Sequence, residues 1–219
     1  MQKLQAGIHQ FQKDYFARHR QLYEKLAEGQ RPETLFITCS DSRILPDTIT
    51  NTGPGDLFIV RNVGNIVPSA IRGVMGGVSA AIQYAVEVLN VNQIIVCGHT
   101  KCGAVDGIMH PESVAHLPLV ANWIAESKSI PALIDENYSE LTGEARMNAA
   151  IEENVLLQLE NLRTFDFVRE RLDNGKLALS GWVYNIATGE VLDYDPEQER
   201  FEPVGQAEAL EREAADRAP

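Results

Sequence analysis

Three short runs, Thr34–Cys39 (TLFITC), Leu57–Asn62 (LFIVRN) and Gln93–Gly98 (QIIVCG), constrain this chain most. Each is apolar and β-branched with almost no alternation, the pattern of strands buried on both faces. Helical patterns stand before, between and after them. Leu4, Ile8, Phe11, Tyr15, Leu22 and Leu26 recur at helical spacing and predict a helix up to about Glu28. Gly29 and Pro32 in EGQRPE end it. A glycine-rich link, IRGVMGG, opens a helix from about Val78 to Leu89, with Ala81, Ala85 and Val88/Leu89 expected on its inner face. Strands alternating with helices imply βαβ units. The predicted fold is therefore α/β, with a mostly parallel central sheet flanked by helices.

Beyond Lys101 helices dominate. HLPLVANWIAESK and the stretch from Glu144 to Leu172 carry helical spacing, with SIPALIDENYSELTG between them. Asn174-Gly175 marks a turn, and LALSGWVYNIATGEVLDYD reads as a strand pair joined around ATGE. The expected organisation is one domain over residues 1–205 and a charged, Ala-rich tail over 206–219 that reads either as a solvated helix or as disordered. No repeat or linker divides the chain.

Charge and cysteine usage narrow the function classes. Thirty-one acidic against nineteen basic residues give a net charge of -12, and the basic ones are scattered, so no nucleic-acid partner is expected. No apolar run approaches the roughly 20 residues needed to span a bilayer, and the first twenty residues show no secretory pattern. Three cysteines suggest no disulfide framework, which fits a cytoplasmic, reducing compartment.

In open α/β sheets ligands sit beyond the C-terminal ends of the strands. Cys39 follows LFIT directly, in CSDSR; His99 follows IIVCG, with Cys102 three residues on. If the two strands are neighbours, Cys39, His99 and Cys102 converge. Two thiolates and an imidazole are ligands of the types zinc prefers, with a fourth position left for water. Cys97 lies inside its strand and reads as a small apolar residue. His9, His19, His110 and His116 carry no functional expectation.

The motifs CSDSR, PGDLFIVRNVGNIVP, GGVSAAIQYAV, IIVCGHTKCGAV and GWVYN together resemble the β-class carbonic anhydrases. Among these the chain is most similar to the bacterial and cyanobacterial branch of cyanate-operon and carboxysomal enzymes. The similarity runs from the N-terminal helix to about Val204. It implies reversible hydration of CO2 to bicarbonate and a proton through a zinc-bound hydroxide, with one Zn2+ per subunit. It also implies a homodimer or higher even-numbered homo-oligomer in which the N-terminal helical arm packs on a partner. The cytoplasm is the expected location; a carboxysome, with an assembly partner there, is compatible with the resemblance. Zinc acidifies the water in its fourth position, a property for which carbonic anhydrases are the type example.

Two thiolates cancel the charge of Zn2+, so the surroundings of the site must contribute. Asp41 and Arg43 are the expected catalytic pair. In extended backbone Cys39, Asp41 and Arg43 would point the same way, and Arg43 would hold the Asp41 carboxylate through two parallel hydrogen bonds. Asp41 would then accept the proton of the zinc-bound hydroxide. In the resemblance the same aspartate can swing onto zinc in a closed, inactive state at low pH. Arg61 reads either as the partner of a carboxylate or, with Tyr184, as part of a regulatory bicarbonate site found in some relatives. Phe36 stands where that site has tryptophan, so no such site is predicted. Gly76-Gly77 reads equally as a close-approach point beside a substrate or as a loose turn. Rival readings are hydrolysis of carbonyl sulfide or carbon disulfide, a non-catalytic zinc protein, and a Cys39 nucleophile.

Overall fold

The computed structural model describes residues 2–72 and 76–205. The expected tail at 206–219 lies outside the described residues. In chain order the main elements are α1 (Gln2–Gln10), α2 (Arg20–Leu26), β1 (Thr34–Cys39), α3 (Pro46–Thr50), β2 (Leu57–Asn62), α4 (Gly77–Gln83), β3 (Gln93–His99), α5 (Gly103–Met109), α6 (Pro118–Ile124), α7 (Ile130–Asn137), α8 (Gly143–Arg163), α9 (Asp166–Asp173), β4 (Ala178–Tyr184), β5 (Val191–Asp195) and β6 (Arg200–Pro203). A π-helical stretch, Phe11–Phe16, continues α1, and another, Tyr84–Val88, continues α4.

The sheet has six strands in the order β2-β1-β3-β4-β5-β6. The first four are parallel; β5 and β6 are added antiparallel at one edge. The α/β expectation holds, and the three strands that open the sequence argument lie side by side with β1 in the middle. The Thr38↔Cys97 pairing of β1 and β3 brings Cys39 beside Gly98, one residue short of His99.

One sheet face carries the main core. Leu35 and Ile37 of β1 and Ile94 and Val96 of β3 are fully buried there, with Val155 of α8. Gly98 and Gly181 let α8 approach: a Cβ on Gly98 would lie 2.8 Å from Val155 Cγ2, and one on Gly181 would lie 3.0 Å from Val155 Cγ1. The other face carries Phe36, Ile95 and Cys97, packed with Leu57, Ile59, Trp182 and Tyr184.

Several local expectations are corrected. The first helix breaks at His19, whose φ of -110° and ψ of 21° leave the helical region. The segment between the two long helical stretches contains α7, which starts beside Pro131. The stretch from Glu144 to Leu172 is two helices, α8 and α9, separated at Thr164-Phe165. In the helix after the glycine link, Ala85, Ile82 and Val86 are buried, but Val88 faces outward.

Candidate metal centre

Adjacent strands β1 and β3 deliver the ligands. Cys39 is the last residue of β1, His99 the last of β3, and Cys102 caps the start of α5 one turn later. Lys101 at φ +58° turns the backbone between His99 and Cys102. The Sγ atoms of Cys39 and Cys102 and a ring nitrogen of His99 all lie within 4.8 Å of one another, and all three residues are buried. Cys39 and His99 are 60 positions apart in the chain (99 minus 39), and the structure brings them together with Cys102. All three cysteines of the chain are free.

The chemistry of this cluster fits a dication. His99 Nδ1 is paired with the carbonyl of Thr100 at 2.9 Å, so Nδ1 carries the ring hydrogen and Nε2 is left with its lone pair. Nε2 is buried and has no hydrogen-bond partner. A buried acceptor lone pair beside two buried sulfurs is a donor set that suits a metal ion. Cys39 is pulled well below the usual thiol range, first by its hydrogen bond with Cys102 and then by His99 and the backbone N–H of Gly64, with burial opposing. Cys102 is pushed up in turn, first by Cys39 and then by burial. The opposite directions have one cause: a second negative charge beside the first, in a buried wall, is unfavourable. A doubly charged, thiophilic ion removes that penalty.

Asp41 and Arg43 meet as expected, by a different route. The backbone after Cys39 turns instead of staying extended: Arg43 N–H donates to Asp41 Oδ1 at 2.9 Å, and Ile44 N–H to the Asp41 carbonyl at 3.0 Å. The Asx turn brings the guanidinium back onto its own carboxylate. Arg43 Nε donates to Oδ1 at 2.9 Å and Nη2 to Oδ2 at 2.7 Å, a bidentate fork. Nη2 also reaches the Lys101 carbonyl at 3.2 Å, tying the two ligand-bearing loops together. Arg43 holds the Asp41 carboxyl far below the usual carboxylate range. Asp41 Oδ2 stands 3.9 Å from His99 Nε2, beside the cluster.

Two further groups were not foreseen as parts of the site. Gly64 N–H donates to Cys39 Sγ at 3.4 Å. Arg61 donates to the carbonyls of Cys39 (3.1 Å) and Asp41 (2.7 Å). Among the described residues its hydrogen bonds thus go to backbone, not to the carboxylate considered from sequence. The NVG step after β2 was the only sequence signal for Gly64. Phe36 is fully buried and edge-on to Trp182, with centroids 6.0 Å apart. At Gly76 and Gly77 a Cβ would meet nothing within 4 Å among the described residues, so neither marks a close approach to them. A cavity of about 380 Å³ opens beside Cys102, walled by Lys101, Asp106, Glu144, Met147 and Ile151.

Comparison with known proteins agrees with this geometry. The carbonic anhydrase family matches residues 34–191. A carbonic anhydrase of Synechocystis sp. is 46% identical over 215 residues, covering 97% of this chain and 78% of the relative. One from Pseudomonas aeruginosa is 41% identical over 201 residues, covering 92% of this chain and 90% of the relative. The solved β-carbonic anhydrase CcaA superposes with a TM-score of 0.90 at 46% identity, covering 93% of this chain and 98% of that one. A tetrameric β-carbonic anhydrase from Sordaria macrospora gives a TM-score of 0.75 at 28% identity, covering 93% and 96%. With the Cys-His-Cys cluster at the strand ends, these similarities establish that the chain belongs to the β-carbonic anhydrases, zinc enzymes that interconvert carbon dioxide and bicarbonate.

Proposed function

We propose that Cys39, His99 and Cys102 hold one zinc per subunit and that Asp41, held by Arg43, is the group that works beside it. The orphaned Nε2 of His99 within a buried pair of sulfurs carries this reading. When bound, zinc supplies the Lewis acidity that turns water into a nucleophile for CO2 at neutral pH. The chain supplies orientation. Asp41 is ionised and therefore can only accept; Oδ2, on the His99 side, takes the O–H of the attacking oxygen and turns its lone pair toward the carbon of CO2. Arg43 fixes the carboxylate in that pose and, through Lys101, holds it at a set height over the ligands. Arg61 braces the same loop from β2 through two carbonyls. In a closed, inactive state Asp41 would leave Arg43 and enter the cluster; structures determined across a pH series test this. Stopped-flow CO2 hydration with measured zinc content, on the intact chain and on Asp41→Ala, tests the whole assignment. Zinc-loaded wild type should be active and zinc-loaded Asp41→Ala at least 10-fold slower; equal rates would remove Asp41 from the mechanism.

The surface supports a homo-oligomer assembled through the N-terminal arm. No residue from 2 to 31 is buried, and Leu4 and Ile8 are 73% and 58% exposed. Such an unpaired apolar stripe fits a second copy of the chain. Residues 1–205 form one domain in this reading, supported by a single sheet that joins all six strands. A cytoplasmic setting is supported by the three free cysteines, and no helix among the described residues is long and apolar enough to cross a membrane. Similarity to cyanobacterial relatives supports a carboxysome, with an assembly partner there, as the alternative setting.

A further inference from the structure

The stripe that α8 turns to the core is apolar except at two places. Asn154 and Gln158, one turn apart, are 1% and 0% exposed, and with buried Ser127 they form a polar network inside the core. Backbone polarity dictates its direction. The Val67 N–H can only donate, and it meets Gln158 Oε1 at 2.8 Å. Gln158 Nε2 must then donate, to Asn154 Oδ1 at 2.9 Å and Ser127 Oγ at 3.1 Å. Ser127 Oγ donates to the same Oδ1 at 3.0 Å. Asn154 is left with Nδ2, which donates to the Gly64 carbonyl at 3.1 Å. From α6, Trp123 Nε1 donates to the Val63 carbonyl at 2.7 Å.

Both grips fall on Gly64. The Val63 carbonyl and the Gly64 N–H belong to one rigid peptide plane. Trp123 holds one end of that plane, and the other end points at Cys39 Sγ. Asn154 holds the next carbonyl and so the far side of the same residue. Gly64 has φ +81°, and a Cβ there would lie 2.9 Å from Ala104 Cβ, so the peptide is also wedged against α5. A donor on a peptide carbonyl polarises the N–H across the amide, so Trp123 sharpens the hydrogen bond it aims.

We propose that Trp123 and Asn154 are positioning residues for the metal centre: they clamp the peptides flanking Gly64 so that its N–H bonds Cys39 Sγ, and so set how strongly that thiolate donates to the metal. This rests on the assignment of Cys39 as a ligand. Groups that hydrogen-bond to metal ligands typically change metal affinity about 10–100-fold when removed.

The test uses Trp123→Phe, which keeps an aromatic ring and removes the indole N–H, with Asn154→Ala as the second variant. Leu162→Ala, on the same buried face of α8, controls for loss of packing. In cobalt-substituted protein the sulfur-to-cobalt charge-transfer band should shift to longer wavelength in both variants, because an unbonded thiolate is the stronger donor. Zinc release to a chelator should speed up about 10-fold in both, because the loop that orients Cys39 is loosened and this outweighs its stronger donation. Leu162→Ala should show neither change under native conditions. In cadmium-113-loaded wild type, a scalar coupling between the metal and the Gly64 amide proton should report the bond directly, whether or not a variant folds. No coupling at Gly64, or a Trp123→Phe band at the wild-type position, overturns the proposal. Wild type that takes up no cobalt overturns the ligand assignment itself, and this proposal with it.

Discussion

Cys97 and Cys102 are both buried and five positions apart, yet only one sits where a cation can use it. Burial pushes the Cys97 thiol up to about 12, and its Sγ–H points to the Gly98 carbonyl. Cys97→Ala should therefore keep one zinc per chain by elemental analysis, whereas Cys39→Ser should lose it. Arg43 is a sharper case, since its fork makes two bonds that an ammonium cannot reproduce. Arg43→Ala should lower CO2 hydration about 10–100-fold at full zinc occupancy, with Arg43→Lys recovering only part. The Asp41–Arg43 partnership was legible in CSDSR from charge and spacing alone. The turn that produces it was not, because an Asx turn and an extended strand end bring the same two side chains together. Away from the site, burial raises the Glu152 carboxyl, with Glu153 adding to it. A raised folded value means that the native state holds its proton more tightly than the unfolded chain, whose value is about 4.3. Stability from this group is thus present at low pH and lost as pH rises through the folded value. Glu152→Gln should raise the melting temperature at pH 7 and do progressively less as pH falls toward 4.

At the scale of elements, the β1–β3 pair and α8 do most to shape the site. Gly98 lies in β3 next to His99, under Val155 and Ile151 of α8. Gly98→Ala should cost about 1–3 kcal/mol by overpacking. In a double mutant with Val155→Ala, which removes the clashing methyl, part of that loss should return; chemical denaturation of the single and double mutants checks it. The strands were readable from sequence because buried parallel strands are unbroken apolar runs. Their adjacency followed only as a condition, since β1 and β3 are separated by β2 in the chain. Helix ends were harder. The apolar spacing continues across Thr164-Phe165, so nothing marked the break between α8 and α9, and SIPALIDENYSELTG was read only as a separator although Pro131 stands in the first turn of α7. The amides of α8 were invisible for another reason. Asn154 and Gln158 sit at apolar-stripe positions, and only the carbonyls and N–H groups of a distant loop explain them.

For the molecule as a whole, the N-terminal arm and the metal centre set the terms. A chain that keeps Leu4, Ile8, Phe11 and Leu22 in water should not stay single. Light scattering should give an even multiple of the chain mass, and removing residues 1–31 should reduce it; an unchanged mass would place the interface elsewhere. The arm's role was expected from family resemblance, since amphipathic spacing shows that a helix hides a face but not against what. The metal has a second effect at this scale. Cys39 and His99 are far apart in the chain, so an ion held by both is a removable cross-link that closes a large loop in the unfolded ensemble. Stripping it should lower the melting temperature, and because ligand stabilisation grows with free ligand over its dissociation constant, the holo value should climb with zinc concentration. Pulse proteolysis with and without a chelator would read the same difference. In a zinc-starved cell, then, the chain would lose lifetime along with turnover, and its abundance would follow the supply of the ion.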